Sequence, residues 1–129
     1  MSIDISISDG PLTDTVTCFR CDRAGALVMF EGIVRGIEQR RPIDALDYEV
    51  YEPMASAQLR RLAVSLRDEL GLLAVCVEHS RGRVPVGGCS FRLQIASAHR
   101  KQAIQAMDAF IDQLKQDVPI WKKPVFAGN

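Results

Sequence analysis

The stretch CSFRLQIASAHRKQAIQAMDAFIDQLKQD, residues 89–117, changes its apolar period halfway along. From Cys89 through Phe91, Leu93 and Ile95 to Ala96, apolar and polar residues alternate as in a half-buried strand. Beyond Ser97, which can cap a helix, the apolar positions are Ile104, Met107, Ile111 and Leu114, the spacing of one helical face, and Pro119 bounds it. The passage therefore reads as a strand feeding a long amphipathic helix.

The same two periods recur on either side. Upstream, Leu59, Leu62, Ala63, Leu66 and Leu70 fall on one face of a second helix that begins near Pro53 and stops at Gly71. Leu72–Glu78 resumes as a strand, and Arg81–Gly88 is rich in turn residues. At the N-terminus Ile3, Ile5 and Ile7 share one side of a strand over Ser2–Ser8, which Gly10-Pro11 ends, and a short helix is expected through about Phe19. Ala26–Arg35 is apolar on both faces, which predicts a central strand, with Gly32 permitting a close backbone approach. After a polar connection over Gly36–Pro42, the residues Leu46, Tyr48 and Val50 alternate with Asp47 and Glu49 in a half-exposed strand. No repeat or linker divides the chain. The expected fold is α+β: a single-domain sandwich over residues 1–129, with a mainly antiparallel sheet and two long helices packed on one face.

A chain of 129 residues can bury roughly two-thirds of its unfolded surface around one core. Its 16 basic and 16 acidic residues cancel, so no global field draws it to nucleic acid or an acidic membrane, and any anion site must be local. The first eight residues lack the charged and apolar regions of a signal peptide, and no apolar run approaches the ~20 residues of a membrane span, so a cytoplasmic protein is expected.

Cys18 and Cys21 form a C-x-x-C, but Cys76 and Cys89 are too far apart to complete a four-cysteine zinc site. Buried free thiols are expected instead, with a redox or zinc pair at Cys18 and Cys21 as a minor alternative.

The basic residues offer more. His99, Arg100 and Lys101 open the last helix, where cations oppose the helix dipole, and Lys122 and Lys123 follow its end. A bound anion would explain the first cluster; pairing with acidic loops would do so equally. Arg100 falls on the wheel beside Ile104 and Met107, pointing inward. Lys115 borders the apolar stripe, where it can reach a pocket rim or pair with Asp112 three residues back. Trp121 reads as a core or edge aromatic and His79 as an ordinary strand-end residue. From the residues alone, the reading ends at a local anion site.

The ordered set Ser97-Ala98-His99-Arg100, Asp112, Lys115 and Pro119-Ile120-Trp121-Lys122-Lys123 resembles the helix-and-tail motif of the molybdopterin synthase large-subunit family. Phe30–Gly36 and Leu46–Ala55 are similar to family stretches in the same order, so the resemblance covers nearly the whole chain. Pro124 and Gly88 stand where the family pattern suggests polar residues, and the family's longer C-terminal tail is shortened here.

The resemblance implies a cytoplasmic sulfurtransferase of molybdenum cofactor biosynthesis. It implies a homodimer of catalytic subunits, each holding a small ubiquitin-like sulfur carrier whose C-terminal Gly-Gly bears a thiocarboxylate, a heterotetramer in all. Two sulfur transfers would convert cyclic pyranopterin monophosphate to molybdopterin, with no cofactor or metal needed. Carried over by position, Lys115 and Lys122 are the expected catalytic residues, while Arg35, His99, Arg100 and Lys123 would bind substrate, some across the dimer. The alternative is a non-catalytic anion-binding or assembly module.

Overall fold

The fold, a computed structural model, is described for residues 2–14 and 21–128. Seven strands and two helices follow in the order β1 (Ser2–Asp9), β2 (Ala26–Ile33), β3 (Ile37–Glu38), β4 (Arg41–Val50), α1 (Met54–Leu70), β5 (Ala74–Pro85), β6 (Cys89–Ser97), α2 (Arg100–Asp117) and β7 (Ile120–Phe126). The sheet runs β2-β6-β5-β4-β3, with β1 joined to β5 and β7 to β4. Every pairing is antiparallel except that of β1 with β5. The expected α+β class therefore holds.

Both helices pack on one face of β1, β2, β5 and β6. Leu59, Ala63 and Leu66 of α1 meet Val75, Val77, Phe91, Leu93 and Ile95 of the sheet and Phe110 of α2 in the main core. Gly71 ends α1 in the left-handed region, at φ 67°, a conformation that costs glycine little. The buried stripe of α2 is Ala103, Ala106, Met107 and Phe110, rotated from the one expected, and Ile104 is 54% exposed. The two alanines let the helix lie close to its neighbours, and Phe110, fully buried, fills the space between them. Arg100 accordingly faces solvent rather than the interior. Ser97 does not cap α2: His99 holds the N-cap position, and the Ser97 hydroxyl donates to the His99 carbonyl.

Three further expectations are revised. β2 lies at the sheet edge rather than its centre, paired only with β6, and leaves Met29 and Ile33 about half exposed. The strand buried on both faces is β6, between β2 and β5, where Arg92 is accommodated by ion pairs with Glu31 of β2 at 2.7 Å and Glu78 of β5 at 3.0 Å. The turn-rich segment after Glu78 continues β5 through Pro85. Pairing with β1 ends at Arg81, and Gly82 at φ 82° opens the pairing with β4, so the glycine serves an exchange of strand partners.

Beyond that exchange, Ile43 and Leu46 of β4 form a smaller core with Val84 of β5 and Val34 after β2, packed by Tyr48 of β4 and Phe126 of β7. The polar connection before β4 is a tight hairpin in which Gln39 and Arg40 both take positive φ, at 52° and 62°, as a two-residue turn of this twist requires. Among the described residues, no helix is long and apolar enough to cross a membrane.

The thiols are less buried than expected. Cys21 is exposed, whereas Cys76 and Cys89 are half-buried. Cys18 and the helix expected through about Phe19 fall largely or wholly outside the described residues.

Candidate active site

A cavity of about 520 Å³ opens where the two cores meet. Phe91, Ile111 and Leu114 line it from the helix-covered side, and Leu46 and Tyr48 from the smaller core. Phe30 and Ile33 of the edge strand complete its apolar wall, giving that strand's exposed residues a surface to form.

Three of the expected site residues converge on this cavity: Arg35, Lys115 and Lys122. Each arrives from a different element. Arg35 follows β2, and Lys115 sits in the last turn of α2, where a cation also complements the dipole. Past Val118 the chain reverses into β7, whose register with β4 sets Lys122 opposite Tyr48. Lys122 Nζ donates to Glu38 Oε1 at 3.1 Å, which ties β7 to the β3 hairpin at the rim. Among the described residues Lys115 makes no ion pair, and the alternative pairing with Asp112 does not form.

The other expected residues lie elsewhere. Lys123 lines an adjoining groove with Arg81, Asp47 and Trp121, and Trp121, 56% exposed, borders both spaces. His99 and Arg100 border a shallow pocket at the far end of α2, with Gly25 and Lys101. Sixteen residues of helix at roughly 1.5 Å each put them about 24 Å from Lys115. The first turn of α2 contains no acidic side chain, so its cations are uncompensated from within the helix.

Sequence reasoning missed a polar group on the cavity wall. His79 is only 5% exposed, edge-on to the Tyr48 ring with centroids 5.3 Å apart and tilted against Phe91 at 5.8 Å. Its Nδ1 lies 2.8 Å from the Ser80 carbonyl oxygen, an acceptor only, so Nδ1 carries the proton and Nε2 the lone pair. Burial pushes the imidazole below the ordinary histidine pKa, outweighing the backbone hydrogen bond that favours the charged form. Nearby, the Tyr48 hydroxyl and Ser90 Oγ share a hydrogen bond of 2.9 Å. The signal available in the sequence was the polar His79 interrupting the inward-facing set Val75 and Val77 on β5.

Chemically, the cavity combines an apolar wall with cationic donors, two carboxylates and a neutral imidazole. That set can hold a phosphorylated organic substrate and move protons. Among the described residues, no group of three or more His, Cys, Asp or Glu side chains is placed to hold a metal ion.

A family profile described as MoaE protein matches residues 6–117. The molybdopterin synthase catalytic subunit of Arabidopsis thaliana is 36% identical over 107 residues, 83% of this chain and 54% of its own length. The Thermoplasma volcanium counterpart is 34% identical over 127 residues, covering 98% of this chain and 93% of its own. This chain thus spans about half the plant relative and nearly all of the archaeal one. Among solved structures, molybdopterin synthase from Staphylococcus aureus matches with a TM-score of 0.83 and 27% identity, over 95% of this chain and 91% of that one. A complex of subunits 1 and 2 of the molybdopterin-converting factor from Helicobacter pylori matches with a TM-score of 0.74 and 26% identity, over 97% and 90%.

Proposed function

The chain belongs to the MoaE protein family, and from that premise we propose that it is the catalytic subunit of a molybdopterin synthase. In this reading it takes sulfur from the thiocarboxylated C-terminus of a small ubiquitin-like subunit and places it, in two transfers, on cyclic pyranopterin monophosphate. The observation that carries the reading is the meeting of Arg35, Lys115 and Lys122 around one cavity, in a chain of this family.

Each residue has a part suited to its chemistry. Arg35 offers a planar fork of donors to phosphate. Lys115 exchanges a proton with the reacting groups, and Lys122, placed at the rim by Glu38, holds substrate or moves a second proton. Lys123 extends the cationic surface into the adjoining groove. His99 and Arg100, about 24 Å along their own helix, serve the cavity of a neighbouring protomer in a homodimer. With one small subunit on each catalytic chain the assembly is a heterotetramer, working in the cytoplasm.

The test mixes the purified chain with thiocarboxylated small subunit and cyclic pyranopterin monophosphate. Molybdopterin should form only when all three are present. Tight binding of the pterin without conversion would favour the non-catalytic anion-binding module.

A further inference from the structure

Sulfur transfer from a thiocarboxylate to carbon leaves the carrier joined to its acceptor through C(=O)–S–C, a thioester. Water must break it, and something in the cavity must take the proton of that water. The candidates on the wall are Glu31, Glu38, Tyr48 and His79. Glu31 is held by Arg92 Nε at 2.7 Å, Glu38 by Lys122 at 3.1 Å, and the Tyr48 hydroxyl is engaged with Ser90. Lysine and arginine cations offer donors only. His79 differs, since its Nδ1 proton is committed to the Ser80 carbonyl and its Nε2 therefore bears a lone pair.

We propose that His79 is the general base that hydrolyses the thioester formed between the small subunit and the pterin. This rests on the molybdopterin synthase reading. The water oxygen bonds to the thioester carbonyl carbon while its proton passes to Nε2. The C–S electron pair then leaves with the sulfur, which stays on the pterin. The small subunit departs as a carboxylate, and the imidazolium returns its proton to solvent or to the thiolate. No oxidant or reductant is consumed.

The surroundings suit the task. The ring is held between Tyr48 of β4 and Phe91 of β6, with neutral Ile7 opposite on β1. The charged or titratable groups that share its cavity are Lys115 of α2, Lys122 of β7, Glu31 of β2, Arg35, and Tyr48 and Glu38 of the smaller sheet. Burial favours the uncharged base and outweighs the backbone hydrogen bond to Ser80.

The experiment is single turnover of cyclic pyranopterin monophosphate by the full complex, with the small subunit followed by intact mass. His79→Asn retains an amide donor for the Ser80 carbonyl but no base, and His79→Gln is a second variant; both are checked by melting. Folded variants should form the small-subunit–pterin adduct at the wild-type rate and release it on the order of a hundredfold more slowly. The wild-type release rate should fall on acidification, with a midpoint below the ordinary histidine value of 6.5 that the variants lack. Release at the wild-type rate from either folded variant overturns the proposal. If neither variant folds, a wild-type release rate without that acid limb overturns it. A wild-type complex that makes neither adduct nor product instead sinks the underlying functional reading.

Discussion

Lys122 of β7 reaches Glu38 of β3 with its Nζ 3.1 Å from the carboxylate, bridging two strands that both border β4. The lysine side chain is 56% exposed and the glutamate 21%, so the pair is screened and adds roughly 0.2–1 kcal/mol to stability. Glu38→Gln should therefore leave the melting curve almost unchanged. Loss of the amine's anchor should lower turnover by up to about fivefold, the rate equivalent of 1 kcal/mol. Paired melting and steady-state assays check both halves; a large fall in melting temperature would show that the pair is structural.

Arg92 predicts the opposite balance. Its side chain is 4% exposed and serves two carboxylates, Glu31 and Glu78, that are 35% and 28% exposed. Arg92→Met would leave both carboxylates facing each other across β6, and because they are partly solvated the expected loss is about 2–3 kcal/mol. Urea denaturation measures it. A change below about 0.5 kcal/mol, the range of ordinary surface substitutions, would contradict this account of β6.

The stability of the fold should also depend on His79. Its folded pKa lies below its unfolded value of 6.5, so the unfolded chain binds the proton more readily. The neutral ring's contribution is present above pH 6.5 and is lost as pH falls from there through the folded pKa. Melting temperature should drop on acidification across that window, and His79→Gln should flatten the drop. Asp9, held low by its hydrogen bond to Arg81, adds its own loss only below 3.8. An unchanged acid slope in the variant would assign the effect to other groups.

The strands and helices with a clean period were legible, down to the stop of α1 at Gly71, because period and left-handed geometry are both local properties. The placement of β2 was not. An apolar strand reads as central, but Phe30 and Ile33 line a cavity, and periodicity carries no information about which neighbour occupies a face. Nor could spacing bring Lys122 to Lys115, since their meeting depends on the reversal after Val118 and on the β4–β7 register. The family motif named both lysines; it said nothing of His79, whose burial and tautomer are products of tertiary packing.

The double substitution Cys18→Ser, Cys21→Ser should leave turnover nearly intact, because the proposed reaction draws its sulfur from the small subunit and exposed Cys21 lies outside the cavity lining. Full conversion by the folded double variant is the expected result, and abolished turnover would return sulfur chemistry to this chain.

The central claim is that Lys115 and Lys122 act on one substrate in one cavity. Single-turnover conversion of cyclic pyranopterin monophosphate, with thiocarboxylated small subunit, tests it in Lys115→Ala and Lys122→Ala. Neither lysine should matter much to folding: Lys115 makes no ion pair among the described residues, and Lys122 has only the screened bridge to Glu38. Each alanine variant should melt normally and lose on the order of a hundredfold in rate. Lys115→Arg should fail because guanidinium does not give up its proton, while Lys122→Arg should retain part of the activity. Near wild-type rates in both folded alanine variants would contradict the account.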